Sequence, residues 1–272
     1  MARKMTYTEF RRFKRYFPYL SNNIVTAEAT QVYNCIAWSV GITNTWLWPG
    51  QTLADFNTFY SKFNLYPSAE GSVAAWGFSQ NDMKHGSKIS TIETNLWESK
   101  CGEDLQILHS VDELRGYSYG QIISFYSKSL TEGTGEKLLN LLMKEERFFN
   151  DEELELLNEE IGRIPNVIRI RFERNFEFWK RTWFRGMLSI DSNPRSRTGY
   201  FEFFRLLSMG EQIIPLVVAK LIEPDNFFAL QLYERLQQKP NLLTEINVND
   251  DLILEGEQGR AYKTVKKYFS SK

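Results

Sequence analysis

Between Val73 and Tyr126 the chain divides into short β-forming segments: Val73 to Phe78, Ser87 to Thr91, Thr94 to Trp97, Leu105 to Leu108 and Gln121 to Tyr126. Turn-rich clusters such as Ser79-Gln80-Asn81-Asp82 and Lys100-Cys101-Gly102 part them, which is the pattern of a small antiparallel sheet. Ahead of these segments, Leu53, Phe56, Phe59, Tyr60 and Phe63 recur at helical spacing behind Thr52 and Asp55, which resemble a capping box. After Thr131-Glu132-Gly133-Thr134-Gly135 the periodicity is helical almost throughout. Helices, then strands, then a separate helical run predict an α+β chain, with a mixed domain over 1–130 and an all-α domain over 131–272.

Within the helical half, Leu138 to Phe149 is apolar and periodic, and Asp151 to Glu160 is acidic in the manner of a solvated helix face. Phe172, Phe176, Trp179 and Trp183 fall at steps of three and four and read as a core stripe. Phe201 to Leu207, Ile213 to Leu221 and Phe227 to Leu236 are short apolar helices joined by tight turns, the unit of HEAT-like stacks. At the other end, Arg3, Lys4, Arg11, Arg12, Lys14 and Arg15 among Phe10, Phe13, Tyr16 and Phe17 suggest a basic amphipathic helix laid on the domain with its charges in water.

Charge narrows the partners. Lys and Arg number 33 against 34 Asp and Glu, so no global field attracts nucleic acid or an anionic membrane. No apolar run approaches the roughly 20 residues needed to span a bilayer, and no secretory signal is recognisable, so a cytoplasmic, soluble protein is expected. Cys35 and Cys101 are too few for a disulfide framework. With only His85 and His109 beside them and no zinc-like spacing, no metal is expected, and the glycines form no phosphate-binding loop, so no cofactor is expected either.

The chemistry centres on Tyr33-Asn34-Cys35-Ile36-Ala37-Trp38-Ser39-Val40-Gly41. Asn34 is suited to cap a helix beginning at Cys35, and Gly41 to end it in the left-handed conformation. A thiol at a helix start lies at the positive end of the dipole, a setting that favours thiolate; the alternative is a core cysteine. A thiol nucleophile needs a base of near-neutral pKa and a third group to fix the imidazole tautomer. His85, at the entrance to the first strands after the helices, is the first choice for the base, although Lys84-His85-Gly86 also reads as a surface turn. The next strand carries Glu98 and Ser99 as candidate orienters. Alternation sends them to opposite faces, and a core-facing Trp97 favours Ser99. His109 is a more distant alternative on the following strand. Trp38, Trp46 and Trp48 are candidate binding contacts, as are Arg195 and Arg197 in the Asn-Pro loop, which would grip a carboxylate or phosphate if not simply solvated.

Tyr33-Asn34-Cys35-Ile36-Ala37-Trp38, Trp46-Leu47-Trp48-Pro49, Lys84-His85 and Trp97-Glu98-Ser99-Lys100 together resemble a family of mostly uncharacterised bacterial and fungal domains. That family's layout is similar to papain-like enzymes of the NlpC type, whose cell-wall amidases cleave peptide bonds with a Cys-His-polar triad. The resemblance covers about residues 15–128 and implies Cys35 as nucleophile, His85 as base, and Glu98 or Ser99 as the third member. Gly86 matches the small residue that often follows the histidine, whereas Cys101 replaces a leucine. Ser192-Asn193-Pro194, Ile213-Ile214-Pro215-Leu216, Phe227 to Tyr233 and Gly256 to Ala261 look like the segment that accompanies such domains.

The expected protein is therefore a papain-like cysteine hydrolase or acyltransferase acting on an amide or thioester in a peptide or protein substrate. The alternative is a non-catalytic interaction module whose helical half binds a protein partner. A role in a toxin or defence system is compatible with both.

Overall fold

A computed structural model describes residues 2–129, 148–245 and 247–272. The expected boundary at Thr131 to Gly135 and most of the periodic stretch from Leu138 lie outside the described residues. The fold is mixed α+β. Strands β1 (Arg3–Lys4), β2 (Ile24–Ala27), β3 (Leu65–Ser68), β4 (Val73–Ser79), β5 (Asp82–Ile89), β6 (Trp97–Lys100), β7 (Gln106–His109) and β8 (Gln121–Lys128) form one open sheet. Its order is β1-β2-β7-β6-β5-β4-β8-β3, with every pairing antiparallel.

Three helices cover the sheet. Helix α1 (Tyr7–Tyr16) starts at a Thr6/Glu9 capping box and buries Phe13, packing with Phe17, Trp76, Ile107 and Tyr119. Helices α2 (Cys35–Ser39) and α3 (Leu53–Ser61) pack with Val73, Ala75 and Tyr126. Trp76 and Ala75 are neighbours on β4, so strand alternation assigns the two clusters to opposite faces. Helix α3 begins at the Thr52/Asp55 capping box expected from the sequence.

Strand β5 departs from the sequence reading. It begins at Asp82, five residues earlier than the expected start at Ser87, so Lys84-His85-Gly86 lies inside a strand and not in a turn. Glycine disguises a strand because it contributes no side chain to the alternation, yet it suits a place where another element comes close. A Cβ on Gly86 would lie 2.5 Å from Tyr60 Oη and 3.3 Å from both Ile36 Cδ1 and Ser39 Oγ. The missing side chain is what lets α2 and α3 sit down on the sheet.

The helical half comprises α4 (Asp151–Arg163), α5 (Asn166–Lys180), α6 (Phe201–Leu207), α7 (Ile214–Ile222), α8 (Leu230–Leu236) and α9 (Gly256–Ser270), with short 3-10 turns between them. Phe172, Phe176, Trp179 and Trp183 are all buried in one core, as their spacing predicts. That core also takes in Trp46 from the sheet half. Conversely, Ile253 and Leu254 join the cluster under α2 and α3, and Ile190 joins the one under α1. The two halves thus share apolar interior.

Candidate functional site

Local chemistry fixes Cys35 at the first position of α2. Asn34 is extended at φ −118°, and its Oδ1 accepts from Ala37 N at 3.2 Å. The same oxygen accepts from Leu47 N at 3.3 Å while Asn34 Nδ2 donates to Leu47 O at 2.7 Å, tying the cap to the Trp46-Leu47-Trp48 loop. At the far end Gly41 has φ +84°, Gly41 N donates to Trp38 O and Ile42 N to Ala37 O, the bond pair of a Schellman stop.

The thiol is fully buried. The Gly86 backbone amide lies on the sulfur's side of β5 and favours the thiolate. Strand β6 pairs with β5 only at Lys88↔Glu98 and Ile89↔Trp97, so at the level of Gly86 the sulfur lies where the two strands are not paired. Ser192 Oγ, from the loop before α6, stands 3.1 Å from Cys35 Sγ. Burial pushes the thiol pKa up to about 11, and Ser192 and Gly86 only partly offset this.

His85 is one residue from Gly86 and pairs with Trp76 on β4, so alternation turns its ring away from the α2/α3 side and into the cluster of Trp76 and Tyr119. No hydrogen bond joins it to Cys35. Its ring stacks on Tyr119 at 3.9 Å between centroids and 8° between planes. His85 Nε2 is 2.9 Å from Ser99 Oγ, and Ser99 Oγ is 2.9 Å from His109 Nε2. His109 Nδ1 lies 2.8 Å from the Ser110 carbonyl oxygen. A carbonyl can only accept, so His109 Nδ1 carries a proton. Burial lowers the pKa of both histidines, that of His109 to about 4, so both rings are neutral at pH 7. Neutral His109 then presents a bare Nε2, the Ser99 hydroxyl donates to it, and the Ser99 oxygen accepts from His85 Nε2–H. The relay leaves His85 Nδ1 as an unprotonated lone pair. That atom is buried and has no hydrogen-bond partner.

Glu98 does not take part in this relay: its Oε1 accepts from Gln106 Nε2 at 2.8 Å. Gln106 in turn bonds Tyr33 Oη at 3.1 Å, and the buried Lys100 ammonium donates to the carbonyls of Gly102 and Asp104, both at 2.6 Å. Cys101 is buried, and its thiol pKa is raised further than that of Cys35. Among the described residues no cluster of three or more His, Cys, Asp or Glu could hold a metal ion.

The other candidates are dispersed. Trp38 is half-buried, with the Lys88 ammonium 3.7 Å from its ring centroid. Trp46 is buried and donates to Ser192 O at 2.9 Å, holding the residue that touches the thiol. Trp48 packs edge-on against Phe56 and lines a cleft with Arg195. Arg197 is buried: its guanidinium donates to the carbonyls of Asn193 (2.7 Å), Leu188 (3.0 Å) and Asp191 (2.6 Å) and lies 4.4 Å from the Phe228 ring centroid. These bonds fold the loop that presents Ser192. Tyr119 has no neighbour pattern that marks a site, and Ser192, although part of the Ser192-Asn193-Pro194 motif, carried nothing in the sequence that ties it to Cys35. His109 had one, as the second histidine on a strand next to Ser99.

Residues 24–127, which contain Cys35, His85, Ser99 and His109, match the family model described as a domain of unknown function (DUF7689). No curated protein and no solved structure matches the chain.

Proposed function

We propose that the sheet half is a papain-like core of the NlpC type and that the chain is a cysteine hydrolase or acyltransferase, with Cys35 as nucleophile, His85 as base and Ser99 as the residue that orients it. The observation that carries this reading is the bare Nδ1 of His85. A buried acceptor without a partner costs about 1–3 kcal/mol, and here it belongs to a ring fixed through its other nitrogen. Cys35 and His85 share no hydrogen bond, so proton transfer requires the thiol and this nitrogen to come together when the site opens. A positioned base awaiting a proton has this form.

In this reading His85 Nδ1 takes the Cys35 proton as the sulfur attacks the acyl carbon of an amide or thioester. The proton then passes to the leaving amine or thiol, and water or another acceptor releases the acyl group from sulfur. The Cys35 backbone N–H, in the first turn of α2, faces the developing oxyanion, a contribution of about 3 kcal/mol per donor in acyl transfer. Ser192 closes the thiol, so turnover requires its loop to move aside. The helical half, with its short paired helices, is read as HEAT-like packing that carries this closing loop.

The test is labelling with iodoacetamide, resolved by peptide mass. Cys35 is expected to react faster than Cys101, and His85→Ala to remove that difference. Equal, slow labelling of both thiols overturns the reading.

A second reading, a non-catalytic module that binds a protein partner, is favoured by the complete burial of Cys35. It predicts labelling of Cys35 that is indifferent to His85.

A further inference from the structure

A cleft of about 510 Å³ opens between the loop after Trp48, the Asn193–Arg195 segment and the Glu257 face of α9. Its volume is in the range of small-molecule sites, roughly 300–1,000 Å³. Three polar groups in its lining are unengaged. Gln51 Nε2 and Thr244 Oγ1 are buried without a hydrogen-bond partner. The exposed Arg195 side chain makes no hydrogen bond or ion pair among the described residues, while its neighbour Arg260 is held by Glu234, Glu257 and the Thr244 carbonyl. Arg195 lies close enough to Arg260 for the two cations to repel. Arg195 also attracts the nearby Glu257 carboxyl, but its guanidinium donors remain without a hydrogen-bond acceptor, and beside two unused polar groups they call for an acceptor-rich group.

The rest of the lining limits that group. Asp55, Glu234, Glu245 and Glu257 also border the cleft, and Glu257 is only 2% exposed. Burial pushes the Glu257 carboxyl pKa up to about 8, leaving Asp55, Glu234 and Glu245 as the acidic lining that disfavours a dianion such as phosphate. Glu245, exposed and without an ion pair among the described residues, would attract a cation at the other end of the same ligand. We propose that this cleft binds a short zwitterionic peptide, its carboxylate held by Arg195, Gln51 and Thr244 and its ammonium turned toward Glu245. The choice of a peptide rests on the reading of Cys35 above, but binding does not require the thiol. Asn193-Pro194-Arg195 follows Ser192 directly, so the segment that grips the ligand is continuous with the one that closes Cys35.

Isothermal titration with trialanine, its C-terminal amide, its N-acetyl form and inorganic phosphate tests the proposal, using the full chain and its Cys35→Ala and Arg195→Ala variants. Trialanine is expected to bind at least about tenfold tighter than either blocked form, and tighter than phosphate. Arg195→Ala should lose about tenfold for trialanine and no longer distinguish acid from amide, whereas Cys35→Ala should bind as the unaltered chain does. The last result would hold even if the nucleophile assignment failed, which separates the two. No saturable binding at millimolar trialanine, tighter binding of phosphate, or an unchanged Arg195→Ala overturns the proposal.

Discussion

Ser192 Oγ stands 3.1 Å from Cys35 Sγ, although 157 residues separate them in sequence. The bond is local in energy but global in meaning, because both halves hold Ser192 in place. Trp46 donates to its carbonyl, and Arg197 gathers the carbonyls of Leu188, Asp191 and Asn193 around it. Arg197→Lys replaces a planar fork by a compact ammonium that cannot reach three diverging oxygens. The expected outcome is a loss of about 2–4 kcal/mol, within the range for disrupting a buried charged network, read as a lower urea midpoint. Iodoacetamide should also reach Cys35 several-fold faster, since the loop that seats Ser192 loosens. Unchanged labelling in a destabilised variant would show that the loop is not the cover.

Gly86 sets how closely α2 approaches β5. In Gly86→Ala the new methyl would meet Tyr60 Oη at 2.5 Å, a contact that cannot be accommodated without movement. Overpacking of this kind costs about 1–3 kcal/mol. Tyr60→Phe removes the offending oxygen and gives up a 2.9 Å bond to Ser39 Oγ. The double variant is therefore expected to be less destabilised than the sum of the two single ones, a coupling that thermal or urea unfolding would read. Strict additivity would mean that the clash is relieved elsewhere.

Much of this site was legible in the sequence because it rests on short-range rules. Asn34 as cap, Gly41 as stop and Thr52 with Asp55 as a capping box need only neighbours within a few residues. Alternation along Trp97-Glu98-Ser99 separated the two candidate orienters. The start of β5 was obscured because Gly86 breaks the alternating pattern for a reason found on another element. Ser192, Tyr119 and the buried setting of Arg197 were beyond reach for the same reason: each depends on how the helical half meets the sheet. A solvated loop and a loop folded around a buried guanidinium have the same composition.

Ser99 serves two imidazoles at once. Ser99→Ala would leave both His85 Nε2 and His109 Nε2 without a partner inside the protein, at about 1–3 kcal/mol for each buried group. Glu98→Gln keeps a side-chain oxygen opposite Gln106 Nε2 and touches neither ring. Ser99→Ala is accordingly expected to lower stability by a few kcal/mol and to slow Cys35 labelling, while Glu98→Gln leaves the labelling rate within about twofold. Imidazole NMR would show the cause, since only loss of Ser99 should change the tautomer of His85. An unaltered tautomer in Ser99→Ala would disprove the relay.

The pH dependence follows from the same relay. His109 is buried and its pKa falls from 6.5 to about 4, so the unfolded chain binds a proton in the interval where the native chain does not. A depressed folded-state pKa means that the stabilisation is present above the unfolded pKa and is lost as pH falls toward 4; at about 1.4 kcal/mol per unit it amounts to roughly 3 kcal/mol. His85 shifts in the same direction through burial and the neighbouring His109, adding to the loss. Cys35 acts at the opposite limit. Its pKa rises from 9.0 to about 11, so the unfolded chain releases a proton first and stability declines as pH climbs from about 9 to 11. Glu257, raised to about 8, and Lys100, lowered to about 8, act in the opposite sense over the same intervals. The His109 and Cys35 contributions are therefore read as differences in urea midpoint between the unaltered chain and His109→Gln below about pH 7, and between it and Cys35→Ala above about pH 9. Protonation of His109 also turns its Nε2 into a donor and deprives the Ser99 hydroxyl of its acceptor, freeing it to donate to His85 Nε2. His85 must then carry its proton on Nδ1, where it can no longer accept one from Cys35. Below about pH 4 the tautomer should therefore invert before the protein unfolds, visible as a change in the His85 ring-nitrogen shifts; a His85 tautomer that is constant until global unfolding would rule this out.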